Sequence, residues 1–215
     1  MSNWQQRESY LAEVAERCLR GHKSFDLRRS HLVEASQISK GTIYNHFPSE
    51  ADLVVAVATA HFKHRLERAV IDSELYPNYL KCFLMHHCWS IRDDLLHDRF
   101  IIARVMPNSE LLAQATDDNR YAFEQVYAEY IEWNRHLVES MGVVEGFNRA
   151  ELVANYLRGA QINCNDADKQ YNDHHLYYQF SYALAQLLGQ SNQRLPTLNY
   201  YIDWLAELEG TANAA

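Results

Sequence analysis

Apolar residues recur at helical spacing along nearly the whole chain, and this periodicity leaves room for little besides α-helices. The first run, Leu11, Val14, Ala15 and Cys18, traces one face at i, i+3, i+4 and i+7. No segment alternates with period two for long enough to compete, and glycine and proline, 7 and 4 of 215 residues, are too scarce to turn many short strands. A hydrophobic share of 47% is ample for a core. The sequence therefore predicts an all-α protein of about nine or ten helices. They are expected over Trp4 to Arg20, a short stretch carrying Leu27, Leu32 and Ala35, Ser39 to Pro48, and Ser49 to Ile71. Further helices are expected over Pro77 to His97, a short piece before Pro107, Asp117 to Met141, Asn148 to Cys164, Tyr171 to Leu188 and Pro196 to Glu209. Ser39 and Ser49 are the predicted N-caps of the third and fourth, with Asp52 at N3 of the latter, where a carboxylate suits the helix dipole.

Charge is distributed unevenly. The total is -8, so the whole surface will not coat nucleic acid or anionic lipid. Yet Arg17 to Phe47 holds six basic residues against two acidic ones, along with His22, His31 and His46, whereas residues 51–215 hold 13 basic and 22 acidic. A small basic module, residues 1–48, thus precedes a larger acidic body, residues 49–215, and the asymmetry points to nucleic acid at one end only. Met1 to Tyr10 is polar, and the longest apolar run, Leu53 to Ala60, is far short of a membrane span. A soluble, cytoplasmic chain with no membrane partner is expected. Cys18, Cys82, Cys88 and Cys164 are scattered, as suits reduced thiols rather than a disulfide framework.

The stretch Gln37 to Phe47 is the most informative. It joins a short turn to a capped helix start, with Ile38, Ile43 and Phe47 as inward anchors and small or polar side chains facing out. A helix presented in this way is what a helix-turn-helix lays in the major groove. Lys40, Thr42 and Asn45 are the candidates for base contacts, Ser39 caps the helix, and Gly41 lets the backbone come close to DNA. Tyr44 and His46 are candidates to donate to phosphate oxygens, which fixes register without reading sequence.

Ile38-Ser39-Lys40-Gly41-Thr42-Ile43-Tyr44-Asn45-His46-Phe47, followed by Ser49 and Leu53, resembles the most recognisable stretch of the tetracycline-repressor (TetR) family of bacterial transcription regulators. The resemblance covers roughly residues 8–60. It departs from the family pattern at Ser36 and Gln37, where Ala and Gly are usual, and at Glu50, where a phosphate-binding Lys is common. Arg28 and Arg29 replace a small hydroxyl and an apolar residue, and they are the cations expected to hold phosphates in place of the missing Lys. The resemblance implies a homodimer on a palindromic operator, a repressor released by an unidentified small-molecule effector, and a divergent helical body for effector binding and dimerisation. The effector is expected between the helices that follow Pro77 and Asp117, lined by Phe83, His87, Ile91, Phe123, Tyr127, Tyr130 and Asn134, a set that serves equally as core. Dimerisation is expected through the last long helices, at Leu152, Tyr156, Gly159, Ala160, Tyr177, Phe180 and Leu184, with intrasubunit packing as the alternative.

Other chemistries are less supported by the residues. Cys82, His86, His87 and Cys88 offer metal ligands, with Cys82 and His86 at i, i+4, so metal or thiol sensing stands beside pocket-wall and packing roles. No HExxH, nucleophile elbow or phosphate-cradling glycine loop is present, so neither a catalytic residue nor a cofactor is expected. The alternative from a different class is a helical enzyme or adaptor with a vestigial DNA-binding module.

Overall fold

The computed structural model describes residues 3–212, and these are predominantly α-helical. Eleven helices occur among the described residues: α1 (Asn3–Cys18), α2 (Arg29–Ser36), α3 (Lys40–His46), α4 (Glu50–Leu75), α5 (Tyr79–His97), α6 (Ile101–Arg104), α7 (Ser109–Gln114), α8 (Asp117–Ser140), α9 (Arg149–Asp166), α10 (His174–Leu187) and α11 (Leu198–Ala212). The sole β feature among them is an isolated bridge between Val144 and Phe147. The helix missing from the sequence expectation is α7. With six residues it is too short to show periodicity, and its local signal is the Asn108 side chain, which accepts from Leu111 N–H at 2.9 Å. No helix among the described residues is long and apolar enough to cross a membrane.

The chain divides into two compact units. One joins the chain up to Glu67 to His97–Glu132, and the other joins Arg68–Leu96 to the chain from Trp133 onward. The division falls inside α4 and α8, so the α1–α3 segment lies in the first unit together with most of α4. In that unit Leu11, Val14, Ala15, Leu19, Leu32, Ile43, Phe47 and Leu53 form one continuous buried core with Ile101, Ile102 and Phe123. Hydrophobic burial of this extent, at about 25 cal/mol per Å² of apolar area, is what holds helices as short as α2 and α3 in place, since neither is long enough to persist alone in water.

Asp52 anchors the start of α4. Ser49 Oγ accepts from Asp52 N–H at 3.0 Å while Asp52 Oδ2 accepts from Ser49 N–H at 2.8 Å, the reciprocal box expected from the sequence. The other carboxylate oxygen takes three further donors from the start of α8: Thr116 N–H, Thr116 Oγ1 and Asn119 Nδ2, each at 2.8 Å. Burial alone would raise the Asp52 pKa, but these donors together hold it below its ordinary value of 3.8.

In the second unit α5 is buried around most of its circumference, including Cys82, Phe83, Leu84, Met85, His86, His87, Cys88 and Ile91. A helix buried to this extent needs partners for its polar groups. Asp72 of α4 lies 3.0 Å from His86 Nδ1 and 2.7 Å from Arg68 Nη2, and Asn134 of α8 lies 2.9 Å from His87 Nε2. Cys88 Sγ lies 3.2 Å from Ser181 Oγ of α10, which in turn accepts from the Tyr201 hydroxyl of α11.

Candidate functional site

Local sequence builds the α2–α3 corner. Ser36, buried at the end of α2, donates its hydroxyl to Leu32 O at 2.6 Å and accepts from Ile38 N–H at 3.2 Å, so one side chain both closes α2 and holds the turn. Gln37 carries the reversal with φ 58° and ψ 20°, a left-handed conformation that disfavours a side chain by about 1 kcal/mol. Ser39 Oγ then accepts from Thr42 N–H at 3.3 Å and lies 2.9 Å from Thr42 Oγ1, which caps α3 as expected. Ile43 and Phe47 are fully buried beneath it.

The outward face of α3 presents Lys40, Gly41 and Asn45 to solvent, with Thr42 and Tyr44 half-buried. No acidic residue occurs between Glu34 and Glu50, and Arg28 is exposed at the N-cap of α2. Lys40 Nζ rests over the Tyr44 ring, 5.3 Å from its centroid. A second cation covers the same ring: the Arg29 guanidinium carbon lies 4.4 Å away.

Two of the expected phosphate ligands are placed otherwise. His46 is only 4% exposed, with its ring 3.7 Å from that of Trp4, and neither ring nitrogen has a hydrogen-bond partner among the described residues. Burial, and then the nearby Arg7 charge, push its pKa down, so the imidazole is a neutral packing element rather than a surface donor. Arg29 faces inward to the α3–α4 junction. Its Nε donates to Glu50 Oε1 at 3.0 Å, its backbone N–H to Glu50 Oε2 at 3.1 Å, and its Nη1 to Phe47 O at 3.0 Å and to Pro48 O. Glu50 therefore sits at the N-terminus of α2 and neutralises the cation expected to replace the missing Lys. With Glu50 half exposed, the pair contributes about 0–1 kcal/mol to stability.

The seven expected pocket residues separate into two groups. Phe83, His87, Ile91 and Asn134 belong to the second unit, where the Phe83 and His87 rings lie 4.4 Å apart and all four pack around α5. Phe123, Tyr127 and Tyr130 belong to the first, where all three rings meet Phe62 edge-on or tilted and Phe123 and Tyr127 stack parallel at 5.4 Å. Of the expected dimer residues, Tyr177, Phe180 and Leu184 are buried inside the subunit: Tyr177 packs against Trp204, and Phe180 stacks on Tyr156. They are correctly read as intrasubunit core, because α10 turns that face toward α9 and α11. Its opposite face leaves Tyr178 and Tyr182 39% and 56% exposed, and on α9 Leu152 and Gly159 are exposed while Ala160 is half-buried. Sequence spacing put Tyr177, Phe180 and Leu184 on one apolar face but could not say whether that face meets a second subunit or the chain's own helices.

Among the described residues no group of three or more His, Cys, Asp or Glu side chains could hold a metal ion. Burial pushes the Cys82 thiol up to about 11 and the Cys88 thiol up to about 12, so both are protonated at neutral pH and poor nucleophiles.

Two of the surface hollows each lie within one unit. One, of about 580 Å³ in the first unit, is lined by Glu8, Glu13, Glu16 and Glu67 together with Arg17, Arg20, Lys63 and Arg99, charges of both signs that compensate one another. The other, of about 500 Å³ in the second unit, lies where the start of α5, the end of α8 and the α10–α11 connection meet. None of the seven expected pocket residues lines either hollow. No family model, no curated protein and no solved structure matches the chain.

Proposed function

We propose that the chain is a DNA-binding transcription regulator that acts as a homodimeric, ligand-responsive repressor. The observation that carries this reading is the exposed face of α3, where Lys40, Gly41 and Asn45 stand on the buried Ile43 and Phe47 in a stretch without acidic residues. A seven-residue helix propped by a preceding helix, small at the point of closest approach and basic at its N-terminal end, suits entry into the major groove. Lys40, Asn45 and the half-buried Thr42 contact base edges. Arg28 and the Tyr44 hydroxyl hold phosphates, and Arg29 joins them only when Glu50 is displaced. The resemblance of residues 38–53 to the TetR family supports the same reading.

One such module reads only a few base pairs, so a two-fold pair is needed to span adjacent half-sites. The exposed Tyr178 and Tyr182 of α10, together with the exposed Leu152 and Gly159 of α9, supply surface for that pairing. An effector releases the operator if it binds the DNA-incompetent state more tightly by a few kcal/mol.

Selection of binding sites from a random duplex pool at about physiological salt tests the reading. The expected result is an enriched palindrome, with base preference relaxed in Lys40→Ala and affinity lowered uniformly across sites in Arg28→Ala. Each lost phosphate contact lowers the salt slope by about 0.9. Absence of both sequence enrichment and salt-dependent binding rejects the reading.

A further inference from the structure

The hollow in the second unit has a composition that selects for one kind of ligand. Its apolar side is made by Leu80 and Leu84 of α5 with Leu195 and Pro196 of the α10–α11 connection. Its polar side carries two cations, Lys81 and Arg194, and no acidic residue lines it. This is unusual placement in a body whose acidic side chains outnumber its basic ones.

Lys81 is held by aromatic faces rather than by a carboxylate. Its Nζ lies 4.7 Å from the Tyr200 ring centroid and 5.3 Å from that of Tyr76, whose hydroxyl donates to the Tyr200 hydroxyl and so ties the two rings together. Cation–π contacts position an ammonium without neutralising it. Among the described residues neither Lys81 nor Arg194 forms an ion pair. The wall between them is also fixed: Gln190 donates its amide to Met141 O at 2.8 Å, which joins the α10–α11 connection to the end of α8.

We infer that this hollow binds a small organic anion, an amphipathic acid whose carboxylate or sulfonate meets Lys81 and Arg194 while its apolar body lies on Leu80, Leu84 and Leu195. The volume of about 500 Å³ falls within the range of small-molecule sites. A neutral molecule of the same shape leaves two cations uncompensated, and a cation is repelled. The inference stands without the DNA reading; its extension, that this acid is the effector, rests on it.

The test uses the full-length protein without DNA, so that its failure overturns the site and leaves the DNA reading untouched. Anilinonaphthalene sulfonate is titrated by fluorescence and then displaced by decanoate or by decanol. Saturable binding is expected, reversed by decanoate and not by decanol. Arg194→Gln, at an exposed position, weakens both anions by about tenfold, and Lys81→Met does the same, each with unchanged circular dichroism. Lys63→Met, in the hollow of the first unit, has no effect. Equal affinity in wild type and Arg194→Gln, equal displacement by decanol, or no saturable binding up to about 1 mM overturns the proposal.

Discussion

Replacing Asp52 tests whether the start of α4 is held to the start of α8 by a single carboxylate. Asp52→Ala removes the acceptor for five donors: Ser49 N–H and Oγ, Thr116 N–H and Oγ1, and Asn119 Nδ2. Two of the side chains keep an alternative. Ser49 Oγ lies 3.2 Å from Gln114 O, and Thr116 Oγ1 accepts from Asn119 Nδ2 at 3.1 Å. The two backbone N–H groups have none, and each donor left unsatisfied near a buried site costs about 1–3 kcal/mol. Partial rescue by water brings the expected destabilisation to about 3–4 kcal/mol. Asp52→Asn keeps one acceptor oxygen and turns an amide toward the remaining donors, so it should lose about 2 kcal/mol, and Thr116→Val about 1 kcal/mol. Urea unfolding followed by circular dichroism gives the order. The pH dependence is a second check. The folded chain holds this carboxyl below 3.8, its ordinary value, so its contribution is complete above that pH and disappears as pH falls through the lower folded value. The gap between wild type and Asp52→Ala must therefore be constant from neutral pH down to about 4 and shrink below it. A loss under about 1 kcal/mol at neutral pH, or a gap that widens in acid, would refute the assignment.

Gly41→Ala separates folding from DNA contact. A Cβ at Gly41 meets nothing within 4 Å, so helix propensity should stabilise α3 by up to about 1 kcal/mol, while the added methyl weakens operator binding; a variant that binds as well as wild type argues against close backbone approach. Glu50→Gln should raise DNA affinity and steepen its salt dependence by releasing Arg29, as read by anisotropy at several ionic strengths, and an unchanged slope would mean that Arg29 stays at Glu50. His46 has a folded pKa below its ordinary 6.5, so wild-type stability should decline as pH falls from that value, and His46→Phe should flatten the decline in urea melts; identical profiles would remove His46 from the account.

Much of the helical layout is legible in the amino-acid sequence because its causes are local. Helical periodicity, the Ser39 and Ser49 caps with Asp52 at N3, and the stop at Pro48 involve residues within one or two turns of each other, so spacing alone reveals them. The uneven charge is equally visible, since it depends on counting. What spacing cannot show is which faces of distant helices meet. Arg29 looks like a phosphate ligand until Glu50, 21 residues away, is seen to hold it. His46 looks like a surface donor until Trp4 covers it. Asp52 reads as a helix cap, yet three of its five donors come from residues 64 and 67 positions away. The aromatic stripe of α8 and the Phe83–His87 stripe of α5 both suggest a pocket wall, but they pack in different units, and the hollow with uncompensated cations forms where Lys81 and Arg194 meet across more than a hundred residues of chain. A side chain's chemistry is a property of its type; its availability depends on the desolvation and partners that tertiary packing brings to it, and these no local pattern encodes.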